Sequence, residues 1–206
     1  MSEVGPFGNA PPPTHPWKSS SALGERGMKI VCDLLCQLKT RRHWFETVLI
    51  EDVSNRPGYQ PFGIDILWIV AAATCTTAIS VEVKTDRHHA SGNFFLETVS
   101  NIARNTPGAF LLSRSEYYFY VFPDLLQVYC IPLCDAREWF LANLSEFHER
   151  TVQSDRDGRK WQTKGRLVPI TRLCKAIEGI RCFENRNGEW HPTENSSRRD
   201  GKASSA

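Results

Sequence analysis

The sequence predicts a single α/β domain, a mixed central β-sheet flanked by helices. Three observations predict it. Short runs dominated by β-branched and aromatic residues recur at strand length between Trp44 and Pro132. Two stretches instead space their apolar residues by three and four, as a helix requires: Ile30, Val31, Leu34, Leu35 and Leu38, then Ala136, Trp139, Phe140, Leu144 and Phe147. Finally, 206 residues with 41% hydrophobic content supply one well-packed core and little material for a second.

Residues 1–20 are rich in Pro, Gly and Ser, with Pro11-Pro12-Pro13 at the centre, and read as a flexible arm that cannot bury enough apolar surface to order itself. The domain runs over 21–183, and 184–206 read as a flexible polar tail. The opening helix starts near Ser20 or Ser21, either of which can cap it, and carries Glu25 in its first turn. Trp44 to Val53 is the first strand, with a turn over Ser54 to Gly58. Ile64 to Val70 is the second, an unbroken apolar run like that of a strand covered on both faces, with Asp65 as the exception. The third strand runs from Ala78 to Lys84, and a polar loop from Asp86 to Gly92 follows.

Asn93 to Val99 returns to a strand, and Thr106-Pro107-Gly108 marks a turn. Tyr117 to Phe122 and Gln127 to Pro132 form two more strands, linked tightly at Pro123-Asp124. Asp135 is expected to cap the next helix, with Glu138 as its capping-box partner. Residues 150–164 are polar and read as a mobile loop; Leu167 to Ile170 reads as a last short strand and Leu173 to Ile177 as a terminal helix.

A net charge of +2 makes no argument for nucleic acid by itself. The basic residues do cluster, in Lys39, Arg41, Arg42 and His43 and again in Arg156, Arg159, Lys160, Lys164 and Arg166. Such clusters are ordinarily solvated surface; beside a DNA-cutting site they become phosphate contacts. Seven cysteines without a C-x-x-C point away from a zinc ribbon or a redox pair, and read as buried small hydrophobes of a reduced, intracellular, cytoplasmic protein. No run reaches the length of a membrane span, and the first thirty residues hold no signal-like apolar region. No Walker loop, G-x-S-x-G or H-E-x-x-H is present.

The chemistry concentrates in Gly63-Ile64-Asp65-Ile66 and Val81-Glu82-Val83-Lys84. Side chains two apart in a strand share a face, so Glu82 and Lys84 point one way while Ile79, Val81 and Val83 point into a core. With Asp65 on the neighbouring strand, two carboxylates and the Val83 carbonyl can hold Mg²⁺ or Mn²⁺ beside an ammonium. A metal so placed activates water and polarises a phosphate, and Lys84 stabilises developing charge. The plain alternative for Asp65 is an exposed acid at a strand end. Glu97 emerges from an apolar strand either to flank this site or to pair with Arg104 or Arg114. His88 and His89 have no partner ligands at helical or hairpin spacing and read as loop residues rather than zinc ligands.

Asp65, a hairpin-length gap and Glu82-Val83-Lys84 resemble the PD-(D/E)XK nuclease superfamily. Ser91-Gly92-Asn93, Phe94-Phe95-Leu96-Glu97, Thr106-Pro107-Gly108 and Ser113-Arg114-Ser115-Glu116-Tyr117-Tyr118 are similar to a phage and bacterial subset of it. The resemblance covers roughly 22–180, with Ile64 standing where the family has Pro. It implies a restriction-endonuclease-like fold and metal-dependent hydrolysis of DNA, with Asp65, Glu82 and Lys84 as catalytic residues. It also implies a supporting role for Glu25, whose ordinary reading is a partner of the helix dipole. Arg159, Lys160, Lys164 and Arg166 become the expected DNA contacts, and a homo-oligomer is a possible assembly. The rival expectation is a catalytically silent DNA- or protein-binding module on the same fold.

Overall fold

Fifteen helices and strands follow one another in the structure, a computed structural model that describes residues 22–38, 45–156 and 159–193. They run α1 (Ala22–Gln37), β1 (Phe45–Asp52), β2 (Ile66–Ala72), β3 (Thr76–Thr85), β4 (Asn93–Asn101), β5 (Thr106–Pro107) and α2 (Ala109–Leu112). There follow β6 (Tyr117–Phe122), β7 (Gln127–Pro132), α3 (Leu133–Ala142), β8 (His148–Arg156), β9 (Arg159–Pro169), α4 (Ile170–Ala176), β10 (Arg181–Arg186) and β11 (Glu189–Pro192). The arm, the Ser20/Ser21 cap, the Lys39–His43 cluster and the tail beyond 193 lie outside the described residues.

The strands form a seven-stranded sheet in the order β1-β2-β3-β6-β7-β10-β11 and a four-stranded sheet in the order β5-β4-β9-β8. The larger sheet is mixed: β3 and β6 run parallel, and its other pairings are antiparallel. Between these parallel partners the chain leaves the sheet and builds β4, β5 and α2. The result is a single α/β domain.

Each face of the large sheet buries its own core. On one face Ile30, Val31, Leu34 and Leu35 of α1 pack against Ile66, Trp68, Val81, Phe119 and Val121. The apolar stripe expected for this helix is thus its buried side. On the other face Tyr118, Tyr120, Phe122 and Ile131 meet Phe94 and Leu96 of β4, Phe110 of α2 and Phe140 of α3. Aromatic rings interlock there edge to face, Phe110 with Tyr118 at 5.2 Å and with Phe140 at 5.3 Å between ring centroids. The second cover is therefore a small sheet with helices attached, where helices alone were expected.

Four further readings change. Residues 150–156 and 159–164, expected as a mobile loop, belong to β8 and β9: the ladder between these strands carries cross-strand charge pairs instead of an apolar stripe, with Lys164 Nζ 3.2 Å and Arg166 Nη2 2.9 Å from Glu149. The tail boundary at 183/184 falls inside β10, which pairs with β11 through Pro192. Helix α3 begins at Leu133 without a side-chain cap, so Asp135 lies in its first turn. Three of the cysteines expected to be buried, Cys36, Cys75 and Cys134, are exposed. Among the described residues no helix is long and apolar enough to cross a membrane.

Candidate active site

The approach to β2 is set by Gly63. A short 3₁₀ turn over Gln60–Phe62 ends there in the left-handed region, at φ 59°. A Cβ at this position would stand 3.0 Å from Ser113 Cα and 3.1 Å from Glu82 Oε2, so conformation and space both call for glycine. The Gly63 carbonyl accepts hydrogen bonds from Ser113 Oγ at 2.7 Å and Ser115 Oγ at 2.8 Å. Pinned in this way, the chain delivers Asp65 just before β2 starts. The Asp65 N–H donates to the Val81 carbonyl at 2.8 Å, while its Oδ2 accepts from the Val83 N–H at 2.8 Å. The Asp65 side chain thereby takes over a ladder bond where the neighbouring strand ends.

Strand β3 presents Glu82 and Lys84 on the face away from α1, in line with the period-two reading. Their neighbours across the parallel ladder are Tyr118 and Tyr120. Glu97 arrives from the second sheet and forms an ion pair with Lys84, their side chains 14% and 25% exposed. The β4–β9 register slips between Glu97 and Val99, and Gly108 makes room behind: a Cβ there would meet the Glu97 carbonyl oxygen at 2.1 Å. Gly63, Asp65, Glu82, Glu97, Leu112 and Ser113 line a cavity of about 220 Å³.

Burial dominates the electrostatics. It raises the Asp65 carboxyl to about 6, against the Val83 hydrogen bond that lowers it and with a smaller push from Asp52. Burial also raises Glu82 well above the ordinary range; Asp65 adds to this and Lys84 works against it. Glu82 Oε2 is buried with no hydrogen-bond partner. Burial pulls the Lys84 ammonium down, but Glu97, Asp86 and Glu82 outweigh it and hold the group charged. Tyr118 Oη is likewise buried and unpartnered, and burial beside Glu97 and Glu82 keeps it protonated.

Asp65, Glu82, Val83 and Glu97 thus line one cavity, with Lys84 tied to it through Glu97. The partner of Glu97 is Lys84, rather than Arg104 or Arg114. Glu25 is not brought in: it is exposed in the first turn of α1, which covers the opposite face. Lys164 and Arg166 are engaged with Glu149, Lys160 is exposed on β9, and the Arg159 side chain lies outside the described residues. His88 donates its N–H to Asp86 Oδ1, and Asp86 Oδ2 accepts from Tyr120 Oη at 2.5 Å.

Ser113, Ser115 and Tyr118 escaped the sequence reading as site residues. Their signal was faint: two serines flanking Arg114, directly before an aromatic strand, where a turn chemistry of hydroxyls to backbone is common. Among the described residues no three His, Cys, Asp and Glu side chains are grouped to hold a metal ion. What the cavity offers is a carboxylate pair, hard oxygen donors whose pKa values are raised chiefly by burial. This donor set suits a magnesium-like ion that keeps several waters. Comparison of the chain with protein-family models, curated proteins and solved structures returns no match.

Proposed function

We propose that the protein is a metal-dependent nuclease of restriction-endonuclease-like architecture that hydrolyses DNA phosphodiester bonds at Asp65, Glu82 and Lys84. The observation that carries this reading is Glu82 Oε2, a buried carboxylate oxygen without a partner, set next to a second carboxylate of raised pKa. An unpaired buried charge costs several kcal/mol. A fold that keeps this group beside a second buried carboxylate favours a cation between them.

Asp65, Glu82 and the Val83 carbonyl would hold Mg²⁺ or Mn²⁺, which supplies an activated water and charge relief on the phosphoryl oxygens. Asp65 is oriented for this by the Val83 N–H. Lys84 carries a fixed positive charge toward the same face as Glu82, and Glu97 holds its ammonium in one place. A cation so fixed stabilises charge that develops on the phosphate without reorganising. Lys160 on the exposed β9 surface supplies a contact for the DNA backbone.

Two observations favour the rival, a catalytically silent DNA- or protein-binding module: the Lys84 ammonium is already paired with Glu97, and among the described residues no three His, Cys, Asp or Glu side chains are grouped to hold a metal ion. Incubating the purified protein with closed circular and linear DNA and Mg²⁺ or Mn²⁺ separates the two. Cleavage is expected, and Asp65→Asn, Glu82→Gln and Lys84→Ala should each reduce it more than about a hundredfold. Binding without cleavage in either metal selects the silent module. Wild-type rates in a folded Glu82→Gln protein remove the site assignment.

A further inference from the structure

The carboxylate pair is recessed. Glu82 Oε2 is sealed from solvent, and the cavity of about 220 Å³ that leads toward it is walled on one side by Pro107, Ala109 and Leu112. Duplex DNA is a stiff, wide cylinder over such lengths, too broad to lower its phosphates into a crevice of that volume. An unstacked nucleotide is not.

At the rim stands Phe62, 41% exposed, between Gln60 and Gly63, both of which line the cavity. The Arg114 guanidinium lies 5.3 Å from its ring centroid, and the Arg114 N–H donates to the Phe62 carbonyl at 2.7 Å. Arg114 is exposed, and no carboxylate pairs with it among the described residues. Aromatic rings and guanidinium planes are the surfaces on which unpaired bases stack. Leu112, 39% exposed, adds an apolar wall. The Ser113 and Ser115 hydroxyls that grip Gly63 bind this rim rigidly to the backbone that positions Asp65.

We propose that Phe62 and Arg114 form a stacking platform for an unpaired base, so that the substrate admitted to the cavity is single-stranded or splayed DNA rather than continuous duplex. This rests on the hydrolytic reading above and narrows its substrate. The platform orients the strand and Arg114 adds charge attraction, while the reacting phosphate passes inward to the carboxylates.

Fluorescence anisotropy with a labelled oligodeoxythymidylate and a hairpin duplex of equal length, in chelator, reads binding apart from cleavage. The wild-type protein should bind the single strand more tightly. Phe62→Ala should weaken that binding about tenfold and spare the duplex. Phe62→Trp should retain it, which separates stacking from a loss of fold. Arg114→Ala should weaken it as well and flatten the salt slope by about 0.7. Single-strand affinity unchanged in Phe62→Ala, or single-strand and duplex affinity lost equally, overturns the platform and leaves the nuclease reading standing. A wild-type protein that binds neither DNA overturns both.

Discussion

Asp65 shows how the burial of one carboxyl bears on stability. Its carboxyl, near 3.8 in an unfolded chain, is held at about 6 in the fold. A folded pKa raised above the unfolded one gives stability that is complete below pH 3.8 and is lost as pH rises through about 6. Above that window the ionised group costs about 3 kcal/mol, at ~1.4 kcal/mol per pKa unit. Asp65→Asn keeps an oxygen for the Val83 N–H and removes the titration. It should therefore stabilise the metal-free protein at pH 8 by up to about 3 kcal/mol and leave it nearly unchanged at pH 3.5. Urea unfolding at the two pH values measures this, and an equal gain at both would mean that ionisation is not the cause. The shared face of Glu82 and Lys84 was legible in advance from strand period, whereas Asp65, read as part of the second strand, stands just before β2. The Lys84–Glu97 pair was not, because nothing local in Val81–Lys84 or Asn93–Val99 states which sheets will face each other.

At the scale of elements, one glycine sets how closely α2 and β5 approach β4. Gly108 lies against the backbone of Glu97, and a methyl group there would meet its carbonyl oxygen at 2.1 Å and its carbonyl carbon at 2.3 Å. Gly108→Ala must push α2 and β5 away from β4, which costs about 1–3 kcal/mol on the scale of overpacked sites. It should also loosen Glu97 from Lys84. Thermal unfolding checks the first effect; a melting temperature equal to wild type would show that the loop absorbs the methyl group freely. Element types were readable where apolar signals were dense: Tyr117–Phe122 and Gln127–Pro132 match β6 and β7 at both ends. They were obscured where strands are held by charge and by turn geometry. The β10–β11 hairpin turns on Asn187 and Gly188 at φ 55° and 90°, the two positive values that a type I′ turn demands. That Asn-Gly pair was the available clue, outweighed by the polar residues around it. In β8–β9 the repulsion expected of a basic stretch is offset by Glu149 on the partner strand.

For the whole molecule, the proposed binding of a cation to the buried carboxylate pair would link binding to folding. A divalent ion that binds the folded state alone stabilises it by RT ln(1 + [L]/Kd), about 2.7 kcal/mol at a hundredfold excess over Kd. Mg²⁺ or Mn²⁺ should accordingly raise the melting temperature, more at pH 8 than at pH 5, where protons compete for the same oxygens. Chelator should reverse the gain, and the double variant Asp65→Asn, Glu82→Gln should lack it. A wild-type melting temperature indifferent to both metals at pH 8 would remove the cation from this account. The single α/β domain was legible from helix and strand periods. Its layering was not, since the residues between the parallel partners β3 and β6 build half of a second sheet.

That excursion has a kinetic consequence. Asp65 and Glu82 first meet across the local β2–β3 hairpin, where water still screens them. The contacts that close the cavity around them span longer stretches of chain, such as the 50 residues between Gly63 and Ser113, and non-local closure is the slow part of folding. The electrostatic penalty therefore falls on the late ascent toward the transition state, which in small proteins has already buried most of its surface. Stopped-flow refolding without metal should slow between pH 5 and pH 8 in the wild type and lose that dependence in Asp65→Asn, whereas a pH-independent wild-type rate would place the burial of this acid after the barrier. A nascent chain would then bury its carboxylate pair as the closing act of its own assembly, and divalent cations that bind the pair would act as folding accelerants.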